Sequence, residues 1–240
     1  MSEKNSQVTH PLASITKVMS AVVARSVLPK DSKVTIRKEF LEEEGDSGLR
    51  DGEVFMLGDL LNLSLIVSSN DGARSIASVA GAFMLGTTDY TFGRSEFIRE
   101  MNIKAKKLGL NSLFFNNETG LDNKDGTTGG YGNAQDVAKL FAYALKQYPD
   151  LLEATHNLND TVSSLQYIHK LENTNVSLDK IPNIIASKTG LTNIAGGNLA
   201  IVFDVGFGKP IAIVVLGSTT DGRFTDVVAL ASSTLQYLKQ

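Results

Sequence analysis

The amino-acid sequence predicts an α+β fold in which an antiparallel sheet is flanked by helices and joined to an all-helical lobe. Two observations carry this prediction. Helical patterns fill the middle of the chain, whereas β-branched runs cluster late and are followed by one more helical pattern. Because each apolar helix stripe or sheet face must be buried against another layer, we expect the terminal helices to cover the sheet.

The helices are predicted from apolar periodicity and from residues that end helices. Residues 12–27 are apolar on almost every side, which indicates a buried helix, and Pro11 and Pro29 lie at its two ends. Residues 94–108 form an amphipathic pattern that is closed by Gly109. The remaining helical patterns cover residues 58–66, 71–79, 134–148 and 223–239.

The strands are predicted near the C-terminus. The β-branched runs 199–205 and 210–217 are joined by G-F-G-K, which indicates a hairpin whose strands are buried on both faces. The segment 183–192 is expected to be an edge strand whose glycine allows a substrate to approach the backbone closely. The stretch 116–132, rich in Asn, Gly, Asp and Thr, is predicted to be a loop.

Length and composition limit the possible functions. The 240 residues, 42% of them hydrophobic and 20% charged, suffice for one large domain or two small ones. We expect residues 1–240 to form a single domain with a helical lobe, roughly residues 40–150, inserted in it. The formal net charge of −3 and the scattered basic residues argue against a nucleic-acid partner. The lack of cysteine excludes disulfides, thiol nucleophiles and cysteine-based zinc sites.

The sequence shows no targeting signal. No stretch reaches the roughly 18 continuous apolar residues of a transmembrane helix, and the first ten residues lack the apolar core of a signal peptide. We therefore expect a cytosolic protein, or one whose targeting segment is absent from this chain.

A nucleophile and a base are predicted at the start of the first helix. Ser14 and Lys17 are three residues apart, so their side chains are neighbours on one helix face. Ser14 falls in the first turn, where free backbone N–H groups favour a developing negative charge. Lys17 can act as a base if burial and a second cation lower its pKa.

Two further motifs supply the groups that this pair needs. Lys188, followed by Thr189 and Gly190, would bring the second cation, while Ser68 and Asn70 would bring a proton-relaying hydroxyl and an orienting amide. Taken singly, S-x-x-K, S-x-N and K-T-G are well explained as a helix cap, a turn and a strand end. In this order, spaced by ~50 and ~120 residues, they jointly indicate a serine enzyme that forms an acyl intermediate.

A family resemblance extends these motifs over most of the chain. P-L-A-S-I-T-K-V-M-S-A resembles the nucleophile helix of the low-molecular-mass penicillin-binding proteins that are D-alanyl-D-alanine carboxypeptidases. The runs L-L-N-L-S-L-I-V-S-S-N-D-G-A, F-N-N-E-T-G-L-D and K-T-G-L-T-N-I-A-G-G-N-L-A resemble later motifs of that family. The resemblance implies a β-lactamase/penicillin-binding transpeptidase-like fold, with the site in a cleft between sheet and helical lobe.

The resemblance also implies a mechanism. Ser14, deprotonated by Lys17, would attack the penultimate D-alanine carbonyl of a peptidoglycan stem peptide and release the terminal D-alanine, and β-lactams would acylate Ser14 as substrate mimics. Ser68 would pass the proton to the leaving amine, and Asn70 would hold Lys17. The backbone N–H groups of Ser14 and Leu191 would form the oxyanion hole.

Substrate binding is implied for the third motif. Lys188, Thr189 and Thr192 would hold the substrate's terminal carboxylate, while Gly190 and Leu191 would contribute backbone. No metal or other cofactor is expected. The family's role in the cell wall implies an extracytoplasmic location in the periplasm or cell envelope.

Two features depart from the family pattern. Only 13 residues precede Ser14, so the sheet is expected to lack the N-terminal strands that family members usually have. Many members carry an Arg upstream of the third motif that pairs with its Lys, whereas the matching position here is Thr174. Carboxylate binding is therefore expected to be arranged differently.

Several alternatives remain open. A D,D-endopeptidase and a carboxypeptidase cannot be distinguished by these motifs. A class A β-lactamase shares them, but its deacylating Glu in E-x-x-L-N is missing between the second and third motifs. A non-catalytic muropeptide- or penicillin-binding protein would not need both nucleophile and base.

Two other patterns are interpreted as structural. The G-D-S-G run at residues 45–48 would suit a chymotrypsin-like site only on an all-β fold with an upstream His and Asp, so Ser47 is interpreted as a turn residue. His156 and His169 lack metal-ligand spacing and are interpreted as solvated or structural.

Overall fold

The computed structural model describes residues 3–206 and 208–238, and its helices lie close to the predicted ranges. The α-helices are α1 (Thr16–Val27), α2 (Leu57–Ile66), α3 (Asn70–Leu85), α4 (Tyr90–Lys107), α5 (Ala134–Gln147) and α6 (Gly222–Leu238). Short 3-10 helices cover Ala13–Ile15, Lys38–Phe40, Glu153–His156 and Leu178–Lys180. The last helix was predicted to reach residue 239, which lies outside the described residues.

The strands form small antiparallel sheets and one larger sheet. They are β1 (His10–Pro11), β2 (Lys33–Thr35), β3 (Val54–Met56), β4 (Phe114–Phe115), β5 (Gly130–Gly132), β6 (Asn159–Ser163), β7 (Ile168–Glu172), β8 (Ile184–Thr192), β9 (Gly196–Asp204) and β10 (Pro210–Ser218). The larger sheet has the order β10-β9-β8, and the others are β1-β5-β4, β2-β3 and β6-β7. The prediction of antiparallel strands with flanking helices is confirmed.

The middle strand of the larger sheet separates two apolar layers. On β9, Leu199 and Ile201 face a cluster formed with α6, whereas the alternating residues Ala200 and Val202 belong to the main core. This alternation follows from the two-residue period of a strand. The sheet therefore lies between α6 and the main core, as the prediction of a terminal helix covering the sheet requires.

The predicted hairpin is present, but the prediction that both of its strands are buried is right only for β9. β9 is buried along almost its whole length, whereas most of β10 is only partly buried. β10 and β8 are both edge strands, but β8 is buried along most of its length because the 3-10 helices Ala13–Ile15 and Glu153–His156 pack against it. The edge position of β8 agrees with the prediction, since β8 also pairs only with β9.

Helix α1 lies inside the main core. The side chains of Val18, Met19, Val22 and Val23 are fully buried, and the helix packs against α3, α4 and α5. A helix that is apolar all round can be stable only when it is surrounded in this way. The consequence for the site is that the first turn of α1 is held from several sides.

Helix α3, which begins two residues after Ser68, starts and stops at recognisable sequence signals. The Ser69 hydroxyl accepts a hydrogen bond from the Gly72 N–H and caps α3, which then runs beyond the predicted end at residue 79 and stops at Gly86. In the described residues, none of the helices combines the length and apolar character that crossing a bilayer requires.

Candidate active site

The Lys17 amine contacts residues of both the first and the second motif. Its amine lies 2.8 Å from the Ser14 hydroxyl oxygen and 2.7 Å from the Asn70 side-chain oxygen, and it also donates to the Thr119 carbonyl at 2.8 Å. Ser14 is supplied by the 3-10 turn that leads into α1, and Asn70 by the first residue of α3. Two distant segments and one loop thus converge on a single amine.

Burial makes this amine a candidate base. The Lys17 side chain is 1% exposed, and desolvation lowers its pKa to about 7, against an opposing effect of the Glu118 and Glu43 charges. A lysine with a pKa near neutrality has a substantial neutral fraction, whose lone pair can accept the Ser14 proton.

Lys188 forms the opposite side of the site. Its buried amine donates to the Ser68 hydroxyl at 2.9 Å and to the Thr189 carbonyl at 3.1 Å. Burial lowers the pKa of Lys188 well below its usual value, and the positive charges of Lys17 and Arg223 lower it further. An entering carboxylate would reverse this effect, because an anion stabilises the protonated amine.

The predicted residues therefore form two separate hydrogen-bonded groups. Ser14 and Asn70 are hydrogen-bonded to Lys17, and Ser68 is hydrogen-bonded to Lys188. Among the described residues, no hydrogen bond joins Ser68 to Ser14 or Lys17. The prediction that Ser68 relays a proton toward the leaving group stays a prediction.

The backbone is in the left-handed region at two non-glycine residues of the site. Ala13, directly before Ser14, has φ +48°, and Ser68 has φ +62°. Such conformations cost about 1–3 kcal/mol for residues that carry a Cβ atom, and they persist where the surrounding structure enforces them. Both candidate hydroxyls are thus presented by turns that local propensity alone would not select.

Strand β8 lies directly against the nucleophile turn. A Cβ atom on Gly190 would be 2.8 Å from the Leu12 carbonyl and 3.3 Å from the Ser14 nitrogen. Only glycine permits this approach of the chain's own backbone; the sequence predicted a close approach of a substrate to Gly190, and that stays a prediction. Leu191 follows with 47% of its surface exposed, so β8 reaches solvent directly after Gly190.

Thr192 and Thr189 have partners that the sequence did not reveal. The Thr192 hydroxyl donates to the Asp122 carboxylate at 3.0 Å, and the same carboxylate accepts from the Ile194 N–H at 3.2 Å. The hydroxyls of Thr189 and Thr174 are 2.6 Å apart. Asp122 thus braces the β8–β9 turn, and Thr174 holds the hydroxyl beside Lys188.

A buried ion pair that the sequence analysis missed lies behind Lys17. Glu118 is fully buried and binds Arg94 through both carboxylate oxygens, at 2.9 and 3.0 Å. Arg94 also contacts Glu43 at 3.4 Å. The only sequence signal for this ion pair was the position of Glu118 directly before the T-G-L-D run. Residues so far apart in the chain form ion pairs without any local sequence pattern.

The loop before α2 also reaches the site. The Ser47 hydroxyl lies 2.6 Å from that of Ser69, and the Asn70 amide nitrogen donates to the Glu44 carbonyl at 2.6 Å. Ser47 does lie in a loop, as interpreted from the sequence, but this loop fixes the amide that holds Lys17.

The histidines take no part in this cluster. His169 contacts the buried carboxylate of Glu53, which is a structural role. No group of three or more metal-ligating side chains occurs in residues 3–206 and 208–238.

Comparison with known proteins identifies the family of this chain. Residues 1–220 match the D-alanyl-D-alanine carboxypeptidase family. The chain belongs to this family. Within the D-alanyl-D-alanine carboxypeptidase family, it is 35% identical over 222 residues to the D-alanyl-D-alanine endopeptidase of Escherichia coli, a match that covers 90% of the chain. The chain spans 65% of the length of that relative.

Two solved structures identify the fold. The D-alanyl-D-alanine carboxypeptidase from Mycobacterium tuberculosis is 26% identical, with a TM-score of 0.79 over 96% of this chain and 86% of that one. A DD-transpeptidase from Streptomyces is 24% identical, with a TM-score of 0.84 over 98% and 92%. The prediction of a penicillin-binding transpeptidase-like α+β fold is confirmed.

Proposed function

We propose that this member of the D-alanyl-D-alanine carboxypeptidase family is a serine-type D-alanyl-D-alanine carboxypeptidase. It would remove the terminal D-alanine of peptidoglycan stem pentapeptides. The observation that supports this most directly is the buried amine of Lys17, which contacts both Ser14 and Asn70 and has its pKa lowered to about 7. A hydroxyl needs an adjacent base of this kind to act as a nucleophile.

In the acylation step, the Ser14 oxygen attacks the carbonyl carbon of the penultimate D-alanine while its proton moves to neutral Lys17. The tetrahedral intermediate collapses, the C–N bond breaks, and the leaving amine takes a proton that returns from Lys17 by way of Ser68. The N–H groups of Ser14 and Leu191 stabilise the oxyanion. Water then attacks the ester, with its proton again accepted by the Lys17 amine, and Ser14 is released.

The substrate carboxylate would lie beside Lys188. This amine is buried, and among the described residues its hydrogen bonds go to neutral oxygens alone. Its pKa is lowered well below the usual value, and an entering carboxylate would restore the proton and pair with the charged amine. Thr189 would add a hydroxyl donor, and Thr192 would add another by exchanging its hydrogen bond to Asp122 for one to the substrate. The backbone of Gly190 and Leu191 would line the contact. The same groups would hold the carboxylate of a β-lactam.

The cellular setting follows from this substrate. We place the protein outside the cytoplasm, in the periplasm or cell envelope, where peptidoglycan stem peptides occur. We also propose that residues 1–240 act as one catalytic domain, with the helical lobe of roughly residues 40–150 inserted. No nucleic-acid partner is expected from the net charge of −3.

Labelling with a fluorescent penicillin tests the proposal. The parent protein should form a covalent adduct that survives denaturation, and Ser14→Ala should form none. Ser26→Ala is the matched control, because it removes another serine hydroxyl of α1, whose hydrogen bond goes to the Val23 carbonyl outside the site; it should still label. A parent that never labels, or a Ser14→Ala variant that labels as well as the parent, rejects the function.

A D,D-endopeptidase is the second candidate, and the name of the Escherichia coli relative favours it. The two activities share the acyl-enzyme and differ in the leaving group, which is free D-alanine in one case and a cross-linked peptide in the other. Incubation with a pentapeptide and with a cross-linked muropeptide dimer separates them. Release of D-alanine supports the carboxypeptidase, whereas cleavage of the dimer alone supports the endopeptidase.

A further inference from the structure

Arg223 is a buried cation that the proposed chemistry does not use. It lies in the first turn of α6 and is 8% exposed. Among the described residues it forms no ion pair, and its Nε atom is buried without a hydrogen-bond partner. Burying an unpaired guanidinium is costly, and desolvation lowers the pKa of Arg223 as a result. A residue retained at this cost calls for a functional explanation.

In the part of the chain that the structure describes, the one side-chain hydrogen bond of Arg223 reaches the third motif. A terminal nitrogen of its guanidinium donates to the Gly190 carbonyl at 2.8 Å. The guanidinium is also 4.6 Å from the centre of the Phe224 ring, which limits its orientation. A charged donor with few alternative positions therefore holds one particular peptide group of β8.

That peptide group includes the N–H of the proposed oxyanion hole. The Gly190 carbonyl and the Leu191 N–H belong to the same planar unit, and in a trans peptide the C=O and N–H bonds point in opposite directions. The Leu191 N–H therefore points away from Arg223. A cation on the carbonyl oxygen also draws electrons from the nitrogen, which makes the N–H a stronger donor.

We propose that Arg223 is a positioning residue for oxyanion stabilisation, because its guanidinium orients and polarises the Gly190–Leu191 peptide. The inference rests on the function proposed above and adds a residue from α6 to it. Its effect should be felt where the oxyanion exists, in the transition state and in tetrahedral analogues, and not in the complex that precedes reaction.

The experiment compares the parent with Arg223→Met, Arg223→Lys and Arg25→Met. Arg25 is the matched control, since it is partly buried, lies over the Tyr148 ring at 5.6 Å, and pairs loosely with Asp150 at 3.8 Å. For each protein, stopped-flow acylation by a chromogenic cephalosporin gives the dissociation constant of the non-covalent complex and the limiting acylation rate. A peptide boronic acid, which forms a tetrahedral adduct with the serine, gives an inhibition constant.

Arg223→Met should lower the limiting acylation rate about 10- to 100-fold, less than the largest losses seen on removing a direct oxyanion donor. The inhibition constant of the boronic acid should rise by a similar factor, while the non-covalent dissociation constant stays within about twofold. Arg223→Lys, which keeps a charged donor, should recover part of the rate. Arg25→Met should match the parent in all three measurements.

Several outcomes would overturn the inference. If Arg223→Met is acylated as fast as the parent, the Gly190–Leu191 peptide group does not need the guanidinium to stabilise the oxyanion. If the loss appears only in the non-covalent dissociation constant, Arg223 binds the substrate carboxylate instead. Should Arg223→Met fail to fold by circular dichroism, Arg223→Lys decides, and a limiting rate equal to the parent's overturns the proposal. A parent that is never acylated rejects the proposed function itself and the inference with it.

Discussion

The hydroxyl oxygens of Thr174 and Thr189 lie 2.6 Å apart, at the position where many family members carry an arginine. Thr174→Arg should leave the limiting acylation rate largely intact and leave substrate affinity unchanged or improved, because it adds a cation beside the proposed carboxylate site. Steady-state kinetics on a pentapeptide will separate kcat from KM. Loss of acylation in this variant would mean that the reaction requires threonine at position 174.

Thr174→Val supplies the complementary measurement. It removes the hydroxyl while keeping the side-chain shape, so Thr189 loses a partner and is free to rotate. KM should rise a few-fold with kcat nearly unchanged, because only the binding of the carboxylate is affected. A fall in kcat alone would contradict this expectation.

The pH dependence of acylation should follow Lys17. Its pKa is lowered to about 7, so the amine is mostly neutral above that pH and mostly protonated below it. Only the neutral amine can accept the Ser14 proton, and the limiting acylation rate should therefore fall about tenfold per pH unit well below 7 and level off above it. Lys17→Ala should abolish acylation. A rate that does not change between about pH 5 and 8 would exclude Lys17 as the base.

Glu118→Gln should shift this profile to lower pH. The Glu118 charge raises the pKa of Lys17 and so opposes the effect of burial; removing it, and leaving Arg94 less compensated, favours the neutral amine. The acid limb of the acylation profile is the measurement. Glu96→Gln is the control, because Glu96 forms an ion pair with the exposed Arg99. The pH profile of this variant should match the parent's. A shift toward higher pH in Glu118→Gln would contradict the argument.

Gly120→Ala should damage the site far more than Gly126→Ala. Both glycines have φ +82°, so both substitutions carry the same backbone strain. A Cβ atom on Gly120 would overlap the Ala13 carbonyl, whereas one on Gly126 would meet nothing within 4 Å. Gly126→Ala should cost about 1 kcal/mol of unfolding free energy. Gly120→Ala should cost more and should also abolish penicillin labelling, because it displaces the turn that carries Ser14.

Denaturant unfolding and labelling of these two glycine variants give the comparison directly. Equal losses of stability, with labelling kept in both, would show that the loop around Gly120 does not fix the nucleophile.

Much of this structure could be read from local sequence patterns. The helices have clear apolar periodicity, and α1 has proline at both ends, so their ranges were predicted to within a few residues, apart from the late end of α3. The glycine of the third motif indicated a position without room for a side chain, although the close neighbour in the structure is the turn before Ser14. These features depend on neighbours in the sequence, which is why pattern reasoning finds them.

The contacts that tune the site could not be read in this way. The Thr119 carbonyl reaches Lys17 from 102 positions away, and Arg223 reaches Gly190 from the following helix. Backbone carbonyls have no sequence signature, and a single arginine at a helix start is usually solvated. The partial burial of β10 could not be predicted either, because a β-branched run does not show which elements pack against the strand.

The buried amine of Lys188 has a thermodynamic consequence for the protein before a substrate binds. Burial and the nearby basic groups lower its pKa, so the amine gives up its proton readily, and a small carboxylate bound beside it stabilises the protonated, paired form and with it the folded state. Occupancy and melting temperature are then linked: a ligand at 100 times its dissociation constant adds about 2.7 kcal/mol of stability. Free D-alanine, the leaving group of the proposed reaction, is such a carboxylate, so the enzyme should be stabilised by its own product and slowed by it as product accumulates.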